Sequence, residues 1–394
     1  MSALRMLTAG ESHGRALVGI LDGMPAGVPI DKEKIDEQLC RRQIGLGRGK
    51  RMSIESDRVQ ILSGLRFGKT LGSPVALLIE NKDWPNWEKR MSATSGDDAD
   101  PVLIPRPGHA DYAGAIKYDH DDMRNVLERA SARETAVRVA LGSVVRQLLE
   151  LFNVWIGGHV VQIGPVENIH TFLSRCDPMN EQSERRIRDA FTRAEASPVR
   201  CGDAESEKRM TDLVREAEKA GDSLGGVFEV VALNPPIGLG SYASWDRRLD
   251  ARLSYAFMSI PGIKSVEIGQ GLESARLRGS KCHDAFNVDG QGVVSRLSNR
   301  AGGIEGGVTN GQPILVRAAM KPIPTLKKPL PSFHWIERKP VPAHHERSDV
   351  CAVPAASVVG EAVLAMELGS AFCERFGGDS LEQMKRHWKS HARS

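Results

Sequence analysis

An α+β fold built from two related sheet-and-helix halves is what this sequence predicts, and three observations carry the prediction. The chain has 394 residues, more than one hydrophobic core usually spans, so it forms two domains or one large layered domain. Strand-like, turn and helix-like segments near the start recur in the same order after residue 225. A long Ala- and Val-rich helix, from about 126 to 151, stands in the sequence between the two sets and is expected between or beside two layers.

The elements follow in order. RALVGILD, 15–22, reads as a strand, GMPAGVP as a turn, and Asp31 as the cap of a short helix, DKEKIDEQL, with Ile35 and Leu39 on one face. GSPVALLIE is a second apolar strand. In the second set, GGVFEVVAL is a strand, NPPIGLG a turn, WDRRLDARLSYAFM a helix, and NGQPILVRAA a strand that repeats the G-x-P opening of GSPVALLIE. Between the sets, 180–219 predicts two charged amphipathic helices forming a surface excursion. Pro354 is suited to the first turn of a last apolar helix running through SVVGEAVLAMEL. Residues 380–394 read as a basic C-terminal tail.

Fifty-three Lys and Arg against fifty Asp and Glu leave a net charge of +3. The whole chain therefore has no electrostatic case for nucleic acid or membrane, and any basic site must be local. Six scattered cysteines without a C-x-x-C pair fit reduced thiols in a cytoplasmic protein. No basic segment followed by an apolar one opens the chain, and no uncharged run reaches the length of a membrane span.

The chemistry concentrates in a few segments. In ERASARETAVR, 128–138, helical spacing puts Ser131, Thr135 and Arg138 on one face and Arg129 and Arg133 on the next ridge. Arginine forks, hydroxyls and unpaired N–H groups at a helix start favour a phosphate or another anion. Pairing of Glu134 with Arg138 on a solvated face explains the same pattern, and this stretch alone leaves both readings open. CRRQIGLGRGKRMSIESDR sets Arg41, Arg42, Arg48, Lys50, Arg51 and Arg58 in a glycine-punctuated loop, suited to close over a multiply charged small molecule.

His13 in AGESHGRA and His109 in PRPGHADYAG sit among small residues that let a ligand approach, and imidazole titrates where a general acid must. His344, His345 and Glu346 lack a further ligand at metal spacing, so no metal is expected. SNRAGGIEGGVTNGQP is neither a dinucleotide nor a P-loop fingerprint; it reads as a hairpin or as backbone laid flat on a planar cofactor. KPIPT, 321–325, is a stiff segment with one cation. Arg347 and Asp349 approach the last helix, as cap and salt bridge or as part of a site.

AGESHG, RPGHADYAGAIKY, RASARET, AGGIEGGVTNGQPI, KPIPT and RSDVCAVPAA stand in one order along the whole chain, and in that order and spacing they resemble the chorismate synthase family. The resemblance implies a β-α-β sandwich in one large domain, 1–394, assembled as a homotetramer with no nucleic acid or membrane partner. It implies a lyase that takes 5-enolpyruvylshikimate 3-phosphate to chorismate by 1,4-elimination of phosphate, with reduced FMN and no net redox change, on the route to aromatic amino acids. By match to family motifs, Arg129, Ala130, Ser131, Gly306, Lys321, Pro322, Ile323, Pro324, Thr325 and Arg347 would touch FMN, as would Pro261 and Gly262, where many members carry Asn-Ala.

Arg42 and Arg48 match arginines that grip the substrate or, in bifunctional members, NADPH, and Arg133 falls with them. His13 and His109 match two acids, one serving the reduced flavin and one the departing phosphate, and Asp349 matches an acid near the flavin N5. An FMN-dependent NAD(P)H flavin reductase would use the same flavin contacts. An RNA-binding module built on the 41–58 loop and the basic tail is opposed by the small net charge and the 5% aromatic content, which leaves little for base stacking.

Overall fold

The computed structural model describes residues 3–49, 54–94, 100–168, 171, 178, 180–344, 346 and 348–391. Its first sheet holds β1 (Arg5–Ala9), β2 (Ala16–Asp22), β3 (Val59–Ser63) and β4 (Val75–Glu80) in the order β1-β2-β4-β3, antiparallel throughout. The second holds β5 (Trp155–Ile163), β6 (Gly226–Leu233), β7 (Ile263–Ile268) and β8 (Ile314–Met320) in the order β7-β8-β6-β5, also antiparallel, with a two-residue strand, Val166–Glu167, on the β5 edge. Each sheet thus runs first, second, fourth, third in chain order.

The helices are α1 (Lys32–Gln43), α2 (Asp111–Tyr118), α3 (Arg124–Ala130), α4 (Thr135–Glu150), α5 (Glu181–Ala196), α6 (Ala204–Ala220), α7 (Leu249–Met258), α8 (Val353–Phe376) and α9 (Leu381–His391). The Asp31 side chain accepts from the Glu33 N–H, and Ile35 and Leu39 are buried, as the α1 pattern requires. α1 follows the second strand of the first sheet and α7 the second full-length strand of the second, while α4 and α8 follow the last strands.

Missing side chains let the layers approach. A Cβ on Gly19 of β2 would lie 2.5 Å from Val137 of α4, and one on Gly142 of α4 would lie 2.6 Å from Ala362 of α8. One on Gly360 of α8 would meet Phe228 of β6 at 2.7 Å. The α4–α8 pair is therefore pressed between the inner faces of the two sheets, and its side chains join those of both in one core. α8 is long and apolar enough to cross a membrane by length and composition, but 94% of its most apolar window is buried in the protein.

Several sequence expectations need correction. The helix expected over 126–151 is broken: Ser131 is extended (ψ 140°) and a short 3₁₀ turn precedes α4. The 380–394 stretch reads as a tail, yet α9 buries Leu381 and Met384 and sets Trp388 against Phe152, Phe372 and Phe376. The charged pair α5 and α6 is capped by Asn180 and Asp203, and Ile187 and Phe191 of α5 seat it on Val231, Leu233 and Leu315 of the second sheet.

The first part of the basic loop, through Gly47, is anchored. Arg41 and Arg42 belong to the last turn of α1, and the backbone beyond is tied by Leu46 N–H to Pro198 O and Val350 N–H to Gly47 O, each 2.7 Å. Lys50 and Arg51 lie outside the described residues.

Candidate active site

A cavity of about 870 Å³ opens where the C-terminal end of α1, the Ser131 break, the start of α8 and the segment after β8 converge. The break aims the neighbouring arginines apart. Arg129 reaches out to Thr8 O, Thr8 Oγ1 and Gly10 O on the first sheet and does not line the cavity. Arg133 turns inward, donating to both carboxylate oxygens of Asp57 at 2.7 Å and to Asn81 Oδ1 at 2.9 Å. Ala130, Ser131 and Ala132 are left on the cavity wall. The Glu134–Arg138 pair forms at 2.8 Å, but Glu134 is buried and also accepts from Thr8.

Arg42 is the least compensated cation there. It donates to Thr135 Oγ1 and Ala132 O at 3.0 Å, while its Nη1 has no hydrogen-bond partner among the described residues and stands 3.7 Å from Asp57, which Arg133 already holds. Burial, with Arg48 and Arg133 nearby, pushes the Arg42 pKa down to about 9 against the pull of Asp57 and Asp349. A buried guanidinium with an unpaired N–H is a site for an anion. Arg48 donates to Asp349 Oδ2 at 2.6 Å, and the Gly49 N–H donates to Asp349 Oδ1 at 2.7 Å.

The KPIPT segment forms another part of the wall. Ser223 donates to Ile323 O at 2.6 Å, Arg106 donates to Thr325 Oγ1 at 3.0 Å, and Lys321 Nζ donates to Gly108 O. Pro322 and Pro324 stiffen the backbone between these anchors, and Pro261 and Gly262 stand alongside.

Both histidines face this one cavity, and each is held by a buried carboxylate. His13 Nδ1 lies 2.8 Å from Glu128 Oε1, and His109 Nδ1 lies 2.5 Å from Asp111 Oδ1. Arg106 donates to both oxygens of Asp111, at 2.8 and 3.1 Å. Burial opposes ionisation of Asp111, but hydrogen bonds from His109 and Arg106 outweigh it and hold the carboxyl well below the usual range. Glu346 is likewise held low: burial is outweighed by His344, Arg106 and His13. No group of three metal-ligating side chains occurs among the described residues.

Thus His13, His109, Asp349, Arg42, Arg48, Arg133, Ala130, Ser131, Pro261, Gly262 and 321–325 share one cavity. Arg129 and Gly306 do not line it; Gly306 has φ +59° in the turn joining Ile304–Glu305 to Val308–Thr309. Arg347 lies outside the described residues. Sequence reasoning missed Trp87, Arg90, Arg106, Asp111 and Glu128. Arg106 and Asp111 flank His109 within five residues and were open to discovery there; Glu128, 115 positions from His13, gave no local signal.

Comparison with known proteins follows the same lines. The sequence profile of the family described as chorismate synthase matches residues 4–373. Chorismate synthase of Symbiobacterium thermophilum is 53% identical over 395 aligned positions, covering 98% of each chain. That of Desulforudis audaxviator is 55% identical over 383, covering 97% of this chain and 95% of its own. A crystal structure of chorismate synthase, 42% identical, superposes with a TM-score of 0.78 over 99% of this chain and 97% of the other.

Proposed function

This chain belongs to the chorismate synthase family, and from that premise we propose that it eliminates phosphate from 5-enolpyruvylshikimate 3-phosphate, with reduced FMN bound, in the cavity around Arg42. The observation that carries the reading is the buried, under-compensated Arg42 in a cavity with two carboxylate-held histidines.

FMN suits these residues. A cavity of about 870 Å³ lies within the range that holds small ligands and cofactors. Its wall supplies a cation for the FMN side at Lys321 and a stiff Pro-Ile-Pro backbone for a planar ring, with Arg42 and Arg48 left for the substrate. When bound, the reduced flavin lends electron density transiently to the substrate, with no net redox change. Lys321 through Thr325, Ala130, Ser131, Pro261 and Gly262 would hold it; Arg129, Gly306 and Arg347 carry over from the family pattern alone.

The chain's own residues do the rest. Arg42 and Arg48, with Arg133 behind them, bind the anionic groups of the substrate and offset the charge that grows on the leaving phosphate oxygens. Of His13 and His109, one gives a proton to that phosphate and the other serves the cofactor side, where the family match also puts Asp349. In bifunctional use the same arginines would take NADPH.

The identical strand order of the two sheets, with α1 and α7 in matching places, supports reading the fold as a β-α-β sandwich with duplicated halves. A homotetramer is supported by the outer face of the first sheet: Leu7, Ile20 and Leu62 are 67%, 37% and 56% exposed, whereas α5 covers the corresponding face of the second. The described cysteines are all free, which fits a cytoplasmic enzyme.

The test is anaerobic: purified protein, chemically reduced FMN and 5-enolpyruvylshikimate 3-phosphate, with chorismate absorbance and phosphate release followed together. Equal appearance of both, with the flavin still reduced at the end, is expected. Folded, FMN-binding protein that makes no chorismate, or that steadily oxidises NADPH without the ester, would point to a flavin reductase instead. Replacing the chemical reductant by NADPH then tests the bifunctional reading.

A further inference from the structure

We propose that Glu128 is a positioning residue for His13 and that Trp87 is the second jaw of the same clamp. The proposal rests on the reading of His13 as a proton-transfer residue.

Glu128 is 2% exposed, and its two oxygens are divided between two parts of the same residue. Oε2 accepts the His13 backbone N–H at 2.7 Å, and Oε1 stands 2.8 Å from Nδ1 of the ring. The Glu128 carbonyl accepts the Ser12 N–H at 3.0 Å. One carboxylate thereby fixes both the backbone on which the imidazole is mounted and the rotation of the ring. With Nδ1 committed to Glu128, proton exchange with a ligand falls to Nε2. The Arg124 guanidinium, 3.5 Å from Oε1, supports the negative charge of Glu128 from behind.

The flat face of the ring is set by Trp87. The two rings stack with centroids 4.0 Å apart and planes inclined by 22°. Trp87 is itself anchored: its Nε1 donates to Asp83 Oδ2 at 3.0 Å, and Arg124 lies over its ring at 5.1 Å. Arg124 therefore touches both jaws. A carboxylate in the ring plane and an indole parallel to it remove the two rotations open to an imidazole, and a fixed proton donor is what transfer in a crowded cavity requires.

A double-mutant cycle tests the clamp. Glu128→Gln is expected to lower kcat by about 10- to 100-fold, the scale of a misplaced catalytic group, with KM for the ester and FMN affinity within about threefold. In a His13→Ala background the same change is expected to cost less than about threefold, because the residue it acts through is gone. An equal loss in both backgrounds would overturn the proposal and make Glu128 merely structural. Wild-type turnover in His13→Ala alone would instead remove His13 from the chemistry, a separate failure of the underlying reading.

Trp87 keeps the test open if Glu128→Gln folds poorly, since its side chain is only partly buried in a four-residue helix outside the core. Trp87→Ala should reduce kcat and Trp87→Phe restore most of it, with neither change felt in the His13→Ala background. A Trp87→Ala enzyme at the wild-type rate would overturn the clamp.

Discussion

Arg42 ends 3.7 Å from Asp57, a carboxylate that Arg133 holds with both oxygens at 2.7 Å. Arg133 also has the buried Glu55 carboxylate 3.7 Å away, whereas Arg42 shares Asp57 with it at the longer distance, and the free protein keeps Arg42 short of charge compensation. A bound anion relieves that deficit. Replacing Arg42 by Met is therefore expected to weaken binding of the phosphate ester by about 10-fold or more, the scale of a lost charged hydrogen bond, while leaving thermal stability of the ligand-free protein within a few degrees. Isothermal titration and a melting curve check it. A large fall in melting temperature would show that Arg42 holds the fold instead of waiting for a ligand.

Arg48 differs, because Asp349 pairs with it directly. Arg48→Ala is expected to weaken the trianionic ester more than FMN, by roughly 10-fold against less than about threefold, since the Gly49 N–H still holds Asp349 in place. Equal loss for both ligands in a titration would indicate a folding defect.

The His109–Asp111–Arg106 cluster predicts a split between chemistry and stability. His109→Ala should lower turnover by about 10² or more, the usual scale for a lost general acid, with little change in melting temperature. Asp111→Asn should lower both, because the 7%-exposed Arg106 loses its carboxylate, at a cost on the order of 3 to 5 kcal/mol. Near wild-type turnover in His109→Ala would take that residue out of the mechanism.

How much of this could be read from the sequence depends on how far apart the interacting residues lie. Strands with strong apolar runs, such as β4 and β6, and the capped helix α1 were legible because their signals are local. β1 was not: its exposure alternates, but RMLTA is nowhere fully buried and its apolar and polar residues do not alternate in step. The site residues were legible through family motifs, but their grouping was not, since Arg42 meets Thr135 and His13 meets Glu128 across 93 and 115 positions. The break at Ser131 was hidden because ERASARETAVR has helix-forming residues throughout. Tertiary contacts pulling Arg133 to Asp57 and Arg129 to Thr8 accompany the break there.

The packing of α4 on α8 gives a prediction of stability alone. A Cβ on Gly142 would lie 2.7 Å from the Ala362 carbonyl oxygen and 2.8 Å from its Cα, backbone atoms that cannot rotate away. Gly142→Ala should cost about 1 to 3 kcal/mol by overpacking, despite the better helix propensity of alanine. Urea unfolding measures it, and a stabilised variant would mean that the two helices separate readily.

Glu361, on α8, gives the pH dependence. It accepts from Arg41 at 2.7 and 2.8 Å, Arg146 at 2.9 Å and Arg200 at 3.1 Å, joining α1, α4 and the Arg200 loop to the core helix. Burial opposes its ionisation, but the three arginines, Arg41 foremost, outweigh burial and hold its pKa at about 2, below the ordinary 4.5. Since the folded value is the lower one, the stabilisation is fully present above about pH 4.5 and is lost as pH falls toward 2. Its size is on the order of 3 kcal/mol. Glu361→Gln should be strongly destabilised at neutral pH, where buried Arg200 and the half-buried Arg41 and Arg146 lose the one anion that they share, and its deficit relative to wild type should narrow below about pH 4. Urea midpoints of both proteins across that range decide the matter: a constant difference at every pH would mean that Glu361 is not the group whose protonation drives acid unfolding.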